Sequence, residues 1–330
     1  MKPQTFSHRA RLEACLSGQM PDRIPVALWR HFPVDDQTPQ TLAAATAQFQ
    51  NTFDFDLLKV TPASSFCLKD WGAQDQWNGS SEGTRDYTHH VIQQPEDWFR
   101  LKPLSPTSGG LGAHLECLRL VRGQFNTHTP ILQTIFSPMS QAKNLAGKDT
   151  LLMHMRNHPE ALQAGLKVIT ETTLRFLEAC MQIGIDGIFY AVQHAQYNLL
   201  SEEEFITFEQ KDDLQILNAA QSLWFNMAHL HGENVMFDLV AQYPVASLNW
   251  HDRHTPPTLP DALQKFPGLL CGGLRRWETM VLGTPRQVQQ EAQEAMQTCP
   301  PQRLMLGTGC VLPIVAPYGN IMAARRSVDV

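Results

Sequence analysis

Apolar residues along the chain fall into short runs, and longer stretches that mix apolar and charged residues separate them. Eight of the short runs have the length and composition of buried strands, and the stretches between them are long enough for helices. Alternation of this kind predicts an α/β fold with a parallel sheet. The predicted strands span residues 24–29, 56–61, 131–136, 187–192, 225–230, 246–250, 268–273 and 303–308.

Helix signals lie between the predicted strands. Ser201 stands before three glutamates, and Thr284 is followed by Pro285, so both residues are expected to cap helices. Eight strands with helical crossovers favour a closed (β/α)₈ barrel, the TIM barrel, over an open sheet. We predict one domain over residues 1–330, with an excursion around 62–130 that holds a small hairpin over one end of the barrel.

Composition excludes several classes of partner. The 330 residues are 43% hydrophobic, enough for a large core, and the formal charge of −6 gives no basic surface for nucleic acid or anionic lipid. The sequence contains neither an apolar run long enough to span a bilayer nor the apolar core of a secretory signal, which predicts a cytoplasmic protein. The seven scattered cysteines are expected to be reduced thiols.

Polar residues gather at the carboxyl ends of the predicted strands, where a barrel places its chemistry. Gln193 and His194 could orient a substrate or donate a proton, although binding of loop backbone explains them equally well. For Asp252 and Arg253 an ion pair that holds the sixth loop is favoured, and Asp252 is also a candidate acceptor for a metal-bound histidine. The candidate catalytic residues are Gln193, His194 and Asp252. The candidate substrate-binding residues are Arg30, His31, Lys59, Tyr190, Asn249 and Arg253.

Two histidines at the end of the fifth strand suggest a metal site. His229 and His231 are two residues apart, so a strand points both imidazoles to the same face. Cys310, at the end of the eighth strand, could meet them across the mouth of the barrel. Two nitrogens and a thiolate with a fourth position open describe a catalytic zinc site. On spacing alone, such a pair is more often one buried and one hydrogen-bonded histidine than a metal site.

Five segments together resemble the uroporphyrinogen decarboxylase superfamily. They are "RARLEACLSGQMPDRIPV", "QTIFSPMSQAKNLAG", "GIDGIFYAVQHAQYNLLSEEEF", "HLHG" and "GTGCVLPIVAPYGNIMAA". The resemblance covers nearly the whole chain and implies a (β/α)₈ barrel with its active site in the carboxyl-terminal mouth.

The resemblance distinguishes two branches of this superfamily. Enzymes that act on uroporphyrinogen carry a Gln-Ala-Gly-Arg-Tyr segment after strand one and an aspartate after strand two, whereas this chain has "LWRHFPVDD" and "VTPASSF" there. We therefore expect no turnover of uroporphyrinogen. The corrinoid-linked methyltransferases hold zinc with a His-x-Cys-Gly and a later Gly-Cys. By this resemblance His229 and Cys310 match two ligands, and His231 replaces the first cysteine.

This replacement changes the expected chemistry, because an imidazole in place of a thiolate leaves the metal one unit more positive and puts the usual thiol acceptor in doubt.

Three functions stay open. One is a zinc-dependent methyltransferase whose corrinoid arrives on a separate protein, since the chain has no Asp-x-His-x-x-Gly motif. Another is a metal-assisted lyase or decarboxylase of a small acid held by Arg30, Lys59 or Arg253. The third is a non-catalytic barrel that binds a tetrapyrrole or corrinoid.

Overall fold

Seven parallel strands form one sheet at the centre of the protein, in a computed structural model that describes residues 6–329. Residues 1–5 and Val330 were predicted to belong to the domain, and the first five also to a chain start without a signal sequence. These predictions lie outside the described range. Each strand of the sheet is fully buried, and neighbours in the sheet follow one another in chain order. The strands of this sheet are β1 (Leu58–Val60), β4 (Ile131–Phe136), β5 (Gly187–Val192), β6 (Met227–Leu230), β7 (Ser247–Asn249), β8 (Leu269–Leu274) and β9 (Leu304–Thr308).

Seven of the eight predicted strands are therefore confirmed, and residues 24–29 differ. Val26 makes a single parallel bridge to Leu306 in β9, and its carbonyl oxygen accepts a hydrogen bond from the Asp56 backbone N–H (2.9 Å). This pairing is short because residues 25 and 26 offer no backbone N–H to a neighbouring strand. Pro25 has no N–H, and the Val26 N–H donates to the Asp56 carboxylate (2.7 Å) rather than to a strand.

Helices occupy the crossovers between the strands. Thr284 and Ser201 each accept a backbone N–H with the side-chain hydroxyl, as predicted for helix caps. The helix predicted after Ser201 is interrupted by a π-helical turn, Ile206–Gln210, which buries the side chain of Glu209 against Ser137. The helices are α1 (His8–Leu16), α2 (Pro39–Phe53), α3 (Gly109–Gln124), α4 (Pro138–Ala146), α5 (Lys148–Asn157), α6 (Pro159–Ile183), α7 (Glu202–Phe205), α8 (Lys211–Ala219), α9 (Phe237–Val240), α10 (Leu259–Ala262), α11 (Pro285–Thr298) and α12 (Tyr318–Arg326). No helix within residues 6–329 has the length and apolar character to cross a bilayer.

A two-stranded antiparallel hairpin, β2 (Gln74–Gln76) and β3 (Asp86–His89), lies within the long segment between β1 and β4. Its tip reaches the loops that follow two distant strands. The Ser81 carbonyl accepts the Ile314 N–H (2.8 Å) after β9, and Glu82 forms an ion pair with Arg276 (2.6 Å) after β8. The hairpin therefore covers part of the carboxyl end of the sheet.

Candidate metal centre at the carboxyl end of the sheet

Four side chains from three strand ends converge at this end of the sheet. His229 lies in β6 and His231 directly follows it, while His251 follows β7 and Cys310 follows β9. Each offers one nitrogen or sulfur atom, and these four atoms all lie within 4.8 Å of one another. Cys310 Sγ and His231 Nδ1 are 3.7 Å apart. This group, His229, His231, His251 and Cys310, is called the His/Cys cluster below.

Two glycines allow the strand ends to approach one another. Gly232 has a φ of +96°, a backbone conformation that residues with a side chain rarely adopt, and it turns the chain directly after His231. Gly309 packs against the backbone of His251, where a Cβ atom would come within 2.6 Å of the His251 Cα atom. A side chain at position 309 would therefore push the β9 end, with Cys310, away from His251.

Asn249 fixes the proton of His229. Both amide hydrogens of Asn249 have acceptors, the carbonyl oxygens of Cys271 (2.9 Å) and Thr308 (3.0 Å), so its Oδ1 atom is left as an acceptor. His229 Nδ1 lies 2.7 Å from that oxygen and must donate to it. The Nε2 lone pair of His229 is then free for a ligand, which is the arrangement that metal-binding histidines have.

The thiol of Cys310 is held in its ionised form. Burial by itself raises the pKa of Cys310, but His229 and hydrogen bonds from the cluster histidines outweigh burial and bring that pKa well below its usual range. Burial also lowers the pKa of His229, against the charge of Cys310. A thiolate and neutral imidazoles are the protonation states that bind metals.

His251 is the member of the cluster that the predicted ligand set lacked. Its Nε2 atom is buried and has no hydrogen-bond partner among residues 6–329. The sequence carried one signal for it, because His251 comes two residues after Asn249 and thus continues the same face of that strand. The predicted zinc site had three protein ligands and an open fourth coordination position. The side chain of His251 lies where it could fill that position.

A cavity of about 550 Å³ opens next to the cluster. His31, Gln193 and His231 line this cavity together with residues of the hairpin. Gln193 Oε1 accepts a hydrogen bond from Lys143 Nζ (2.9 Å), which faces the same cavity. Two of the predicted mouth residues, His31 and Gln193, are thus brought together with His231.

Lys59 lies inside the sheet, on β1. Its Nζ atom is 4.4 Å from the ring centre of Phe189, and the Phe189 ring stacks on His229 with 5.3 Å between ring centres. Burial lowers the pKa of Lys59 to about 7, and Cys310 opposes this shift. Burial followed by the charge of Lys59 lowers the pKa of His31 to about 4, so His31 is neutral.

His194 and Asp252 are buried close to the site but are not bonded to the cluster. Burial, with the charges of Lys143 and His231, lowers the pKa of His194 to about 3, so its ring carries no proton that it could donate as an acid at pH 7. Asp252 accepts the backbone N–H of Gly273 (3.1 Å) on β8, and burial raises its pKa to about 7.

The remaining predicted residues do not face the cavity. The Tyr190 hydroxyl donates to Asp213 on α8, outside the sheet. The Arg30 guanidinium packs on Phe32 and Phe49, toward α2. Arg253 donates to the Gly273 carbonyl (2.9 Å). Asn249 uses all its polar hydrogens and its oxygen within the protein, so it has no group left for a substrate.

A parallel α/β sheet with a His/Cys cluster at the carboxyl ends of its strands defines an enzyme of the barrel-like α/β class. A sequence model of the uroporphyrinogen decarboxylase (URO-D) family matches residues 7–329. The chain belongs to this family.

Relatives of known activity place the chain in the methyltransferase branch. It is 21% identical over 234 residues, 70% of this chain and 67% of the relative, to "Methylcobamide:CoM methyltransferase MtbA" from Methanosarcina acetivorans. The fold is similar to that of a methyltransferase from Methanosarcina mazei, with a TM-score of 0.86, 17% identity and 98% of each chain covered. A B12-independent methionine synthase from Shewanella sp. W3-18-1 follows with a TM-score of 0.56, 12% identity and coverage of 92% of this chain and 96% of that one. The expected enzyme class, a methyltransferase of the uroporphyrinogen decarboxylase-like superfamily, is confirmed.

Proposed function

We propose that this protein is a zinc-dependent methyltransferase that acts in the cytoplasm and moves a methyl group between a corrinoid protein and a small molecule other than uroporphyrinogen. The observation that carries the proposal is the convergence of four ligand atoms within 4.8 Å at the mouth. The corrinoid part is supported by the relative named methylcobamide:CoM methyltransferase. The corrinoid comes on a partner protein, as the sequence analysis expected.

The residues present fit zinc. Three imidazole nitrogens and one thiolate form a borderline donor set, which zinc prefers and which magnesium and calcium do not. The His251 Nε2 atom is buried without a partner, a costly state for a polar atom unless a ligand occupies it. We propose His229, His231 and Cys310 as ligands, with His251 as the fourth.

Bound zinc would supply a Lewis acid that lowers the pKa of a coordinated thiol or polarises a substrate oxygen or nitrogen. The protein's own residues prepare that site. Asn249 orients the His229 ring, and the cluster histidines keep Cys310 ionised. One thiolate balances one of the two charges of a divalent ion, so the centre keeps a net positive charge.

The substrate would occupy the cavity beside His231. Gln193 is the residue we propose to orient it, because its amide faces the cavity and Lys143 fixes the orientation of its oxygen. His31, neutral and also lining the cavity, is proposed as a second contact. His194 and Asp252 would then act by supporting the loops that carry Gln193 and His251.

We also propose that residues 24–29 close the sheet into an eight-stranded barrel. Val26 contacts the backbone of both edge regions, through Leu306 on one side and Asp56 on the other. This closure would bring the loop that carries His31 to the same mouth as Cys310.

Elemental analysis of protein purified without chelator tests the metal centre directly. We expect about one zinc per chain in the natural protein and a clear loss of zinc in Cys310→Ala, with the circular dichroism spectrum unchanged because the cluster lies at the strand ends, outside the hydrophobic core. Cys117→Ala, a substitution of an equally buried cysteine on α3, is the matched control and should keep its zinc. Full zinc content in Cys310→Ala would refute the site and the methyltransferase mechanism with it.

A further inference from the structure

The π-helical turn Ile206–Gln210, between α7 and α8, orients two of its residues against their hydrophobicity. Glu209 is completely buried, whereas Ile206 in the same turn is 46% exposed. A carboxyl group is costly to bury, and isoleucine is one of the residues most often found inside. Turns of this kind are rare and occur frequently at functional sites. The inverted burial therefore indicates that the carboxyl group of Glu209 has a role inside the protein.

Hydrogen bonds connect Glu209 to the end of a different strand. Glu209 Oε1 accepts the hydroxyl of Ser137 (2.7 Å), the first residue after β4. The hydroxyl oxygens of Ser137 and Ser140 are 2.7 Å apart. Since the Ser137 hydrogen is used on Glu209, the Ser140 hydroxyl donates to Ser137. A lone pair of Ser140 Oγ then accepts the backbone N–H of Gln193 (3.2 Å). Glu209 thus sets the direction of both hydroxyl groups.

Gln193, the last member of this chain of hydrogen bonds, lines the cavity beside the His/Cys cluster. It directly follows β5, and side chains hold both of its backbone polar groups. Ser140 accepts its N–H, and Gln196 Nε2 donates to its carbonyl oxygen (2.7 Å). Lys143 Nζ donates to its Oε1 (2.9 Å), which leaves the side-chain NH₂ group as the end that can donate to a substrate. The backbone bonds fix where this group lies in the cavity.

The carboxyl group of Glu209 acts here through a hydrogen bond rather than through charge. Burial, followed by the charge of Asp213, raises the pKa of Glu209 well above its usual range and so favours the uncharged acid. Glutamine has the same shape, carries no charge and keeps an oxygen that can accept from Ser137. Glu209→Gln is therefore the conservative substitution at this position.

We propose that Glu209 is a positioning residue, which acts through Ser137 and Ser140 to hold Gln193 in the orientation that a substrate in the cavity requires. The inference rests on the proposed function for the role of Gln193 toward the substrate. The hydrogen-bond chain itself depends on this protein's own residues alone. Glu209 touches neither the substrate nor the His/Cys cluster in this proposal.

Amide hydrogen exchange reports on the Gln193 N–H without any measurement of activity. Labelling with ¹⁵N-glutamine gives the backbone and side-chain amide signals of Gln193 in NMR spectra, and their loss in Gln193→Ala assigns them. We expect the backbone N–H to exchange about tenfold faster in Glu209→Ala than in the natural protein, the factor expected for loss of one buried hydrogen bond. The side-chain NH₂ signals of Gln193 should shift in the same variant.

Two further variants test whether the effect passes through the serines. Glu209→Gln should keep the slow exchange of Gln193. Ser137→Ala leaves Glu209 in place but interrupts the chain, so it should accelerate the exchange as Glu209→Ala does, and combining the two substitutions should add little. Ser137→Ala also decides the matter if Glu209→Ala does not fold. Slow exchange in Ser137→Ala, or fast exchange in Glu209→Gln, would overturn the inference.

Asp213→Ala is the matched control for general loosening of this region. Asp213 is an equally buried acid four residues later, and its hydrogen bonds go to Tyr190 and Tyr243 instead of a serine. This variant should lose stability in thermal unfolding but keep the slow exchange of Gln193. Equal acceleration in Asp213→Ala and Glu209→Ala would contradict a specific role of Glu209, as would natural exchange in Glu209→Ala.

The two proposals fail in different ways. If the natural protein holds no zinc but Glu209→Ala accelerates the exchange of Gln193, the metal mechanism is wrong and the positioning of Gln193 by Glu209 stands. If zinc is present and lost in Cys310→Ala, but Gln193 exchanges slowly in Glu209→Ala, the metal centre stands and Glu209 has a structural role only.

Discussion

Buried polar groups at the two ends of the sheet differ in how completely they are hydrogen-bonded. At the amino end, the Asp56 carboxylate is completely buried and accepts from His8 (3.0 Å), Arg11, Arg23 (2.7 Å) and the Val26 N–H (2.7 Å). The hydrogen bond from His8 and the charges of Arg23 and Arg11 outweigh burial and hold the pKa of Asp56 at about 2. Every lone pair of this carboxylate has a partner within the protein.

Asp186 repeats this arrangement on the other side of the amino end. Its carboxylate accepts from Arg9 (3.3 Å), Arg122 (3.0 Å), the Trp224 indole N–H (2.9 Å) and the Ile131 backbone N–H (3.0 Å). These two aspartates connect α1, α3 and the strand starts. Their partners leave no polar group free for a ligand, which is typical of a stabilising end of a barrel.

At the carboxyl end, buried polar groups are left without partners. His194 Nδ1 and His251 Nε2 have no hydrogen-bond partner among residues 6–329, and Lys59 has no carboxylate partner in that range. The comparison teaches that the two buried aspartates of the amino end have complete sets of partners, whereas two histidine nitrogens at and beside the His/Cys cluster have none. Native structures leave few buried polar atoms unpaired, so unpaired nitrogens at a group of metal-ligating side chains indicate a ligand.

The largest expected effect is at the amino end. Asp56→Asn replaces the buried carboxylate between Arg11 and Arg23 with a neutral amide, although Arg11 keeps its ion pair with Asp22 (2.7 Å). Breaking a buried ion pair in this way costs about 3–5 kcal/mol. We expect urea denaturation to show this loss in the free energy of unfolding, with the zinc content of the folded protein unchanged.

A surface pair serves as the control for this experiment. Asp238, which is 67% exposed, pairs with Lys265, and Asp238→Asn should cost at most about 1 kcal/mol. A loss of zinc in Asp56→Asn at a urea concentration where it is folded would contradict the separation of the two ends.

A smaller effect is expected from the residue that orients a cluster ligand. Asn249→Ala removes the acceptor for His229 Nδ1, and loss of such a partner weakens metal binding by about 10–100-fold. Competition with a zinc-sensitive dye measures the dissociation constant. Ser247→Ala is the matched control, because Ser247 is buried two residues earlier on β7 and its hydroxyl has no partner. Equal zinc affinity of Asn249→Ala and the control would show that the proton of His229 is fixed by another group.

Much of the fold was predictable because strands leave a local pattern. The runs at 131–136 and 187–192 match β4 and β5 to the residue, since fully buried parallel strands are continuous apolar runs. The pairing of residues 24–29 was not predictable, because the Val26 N–H donates to a carboxylate that is distant in sequence. The family resemblance indicated the methyltransferase branch, which the spacing of the candidate ligands alone could not indicate.

The candidate site was predictable only in part. His229 and His231 share a face by strand geometry, whereas the approach of His251 depends on how closely β9 packs on the β7 end at Gly309. Tyr190 was a candidate substrate-binding residue, but alternation places Phe189 inside the sheet and Tyr190 outside it. The sequence shows which residues of a strand share a face. It does not show which of the two faces points toward the mouth.

A further expected effect concerns a buried carboxylate whose partners are hydroxyls rather than arginines. Burial raises the pKa of Asp213 to about 7, only partly offset by hydrogen bonds from Tyr190 and Tyr243. The folded state thus keeps a proton that the unfolded state releases near pH 4. The stability contributed by this proton is complete below that pH and is lost as the pH rises toward 7, by up to about 1.4 kcal/mol per pH unit. Asp213→Asn should flatten the fall in unfolding free energy between pH 5 and 7, measured by urea denaturation, whereas Asp238→Asn should leave it unchanged. Parallel curves for Asp213→Asn and the natural protein would mean that Asp213 is ionised in the folded state, as Asp56 is.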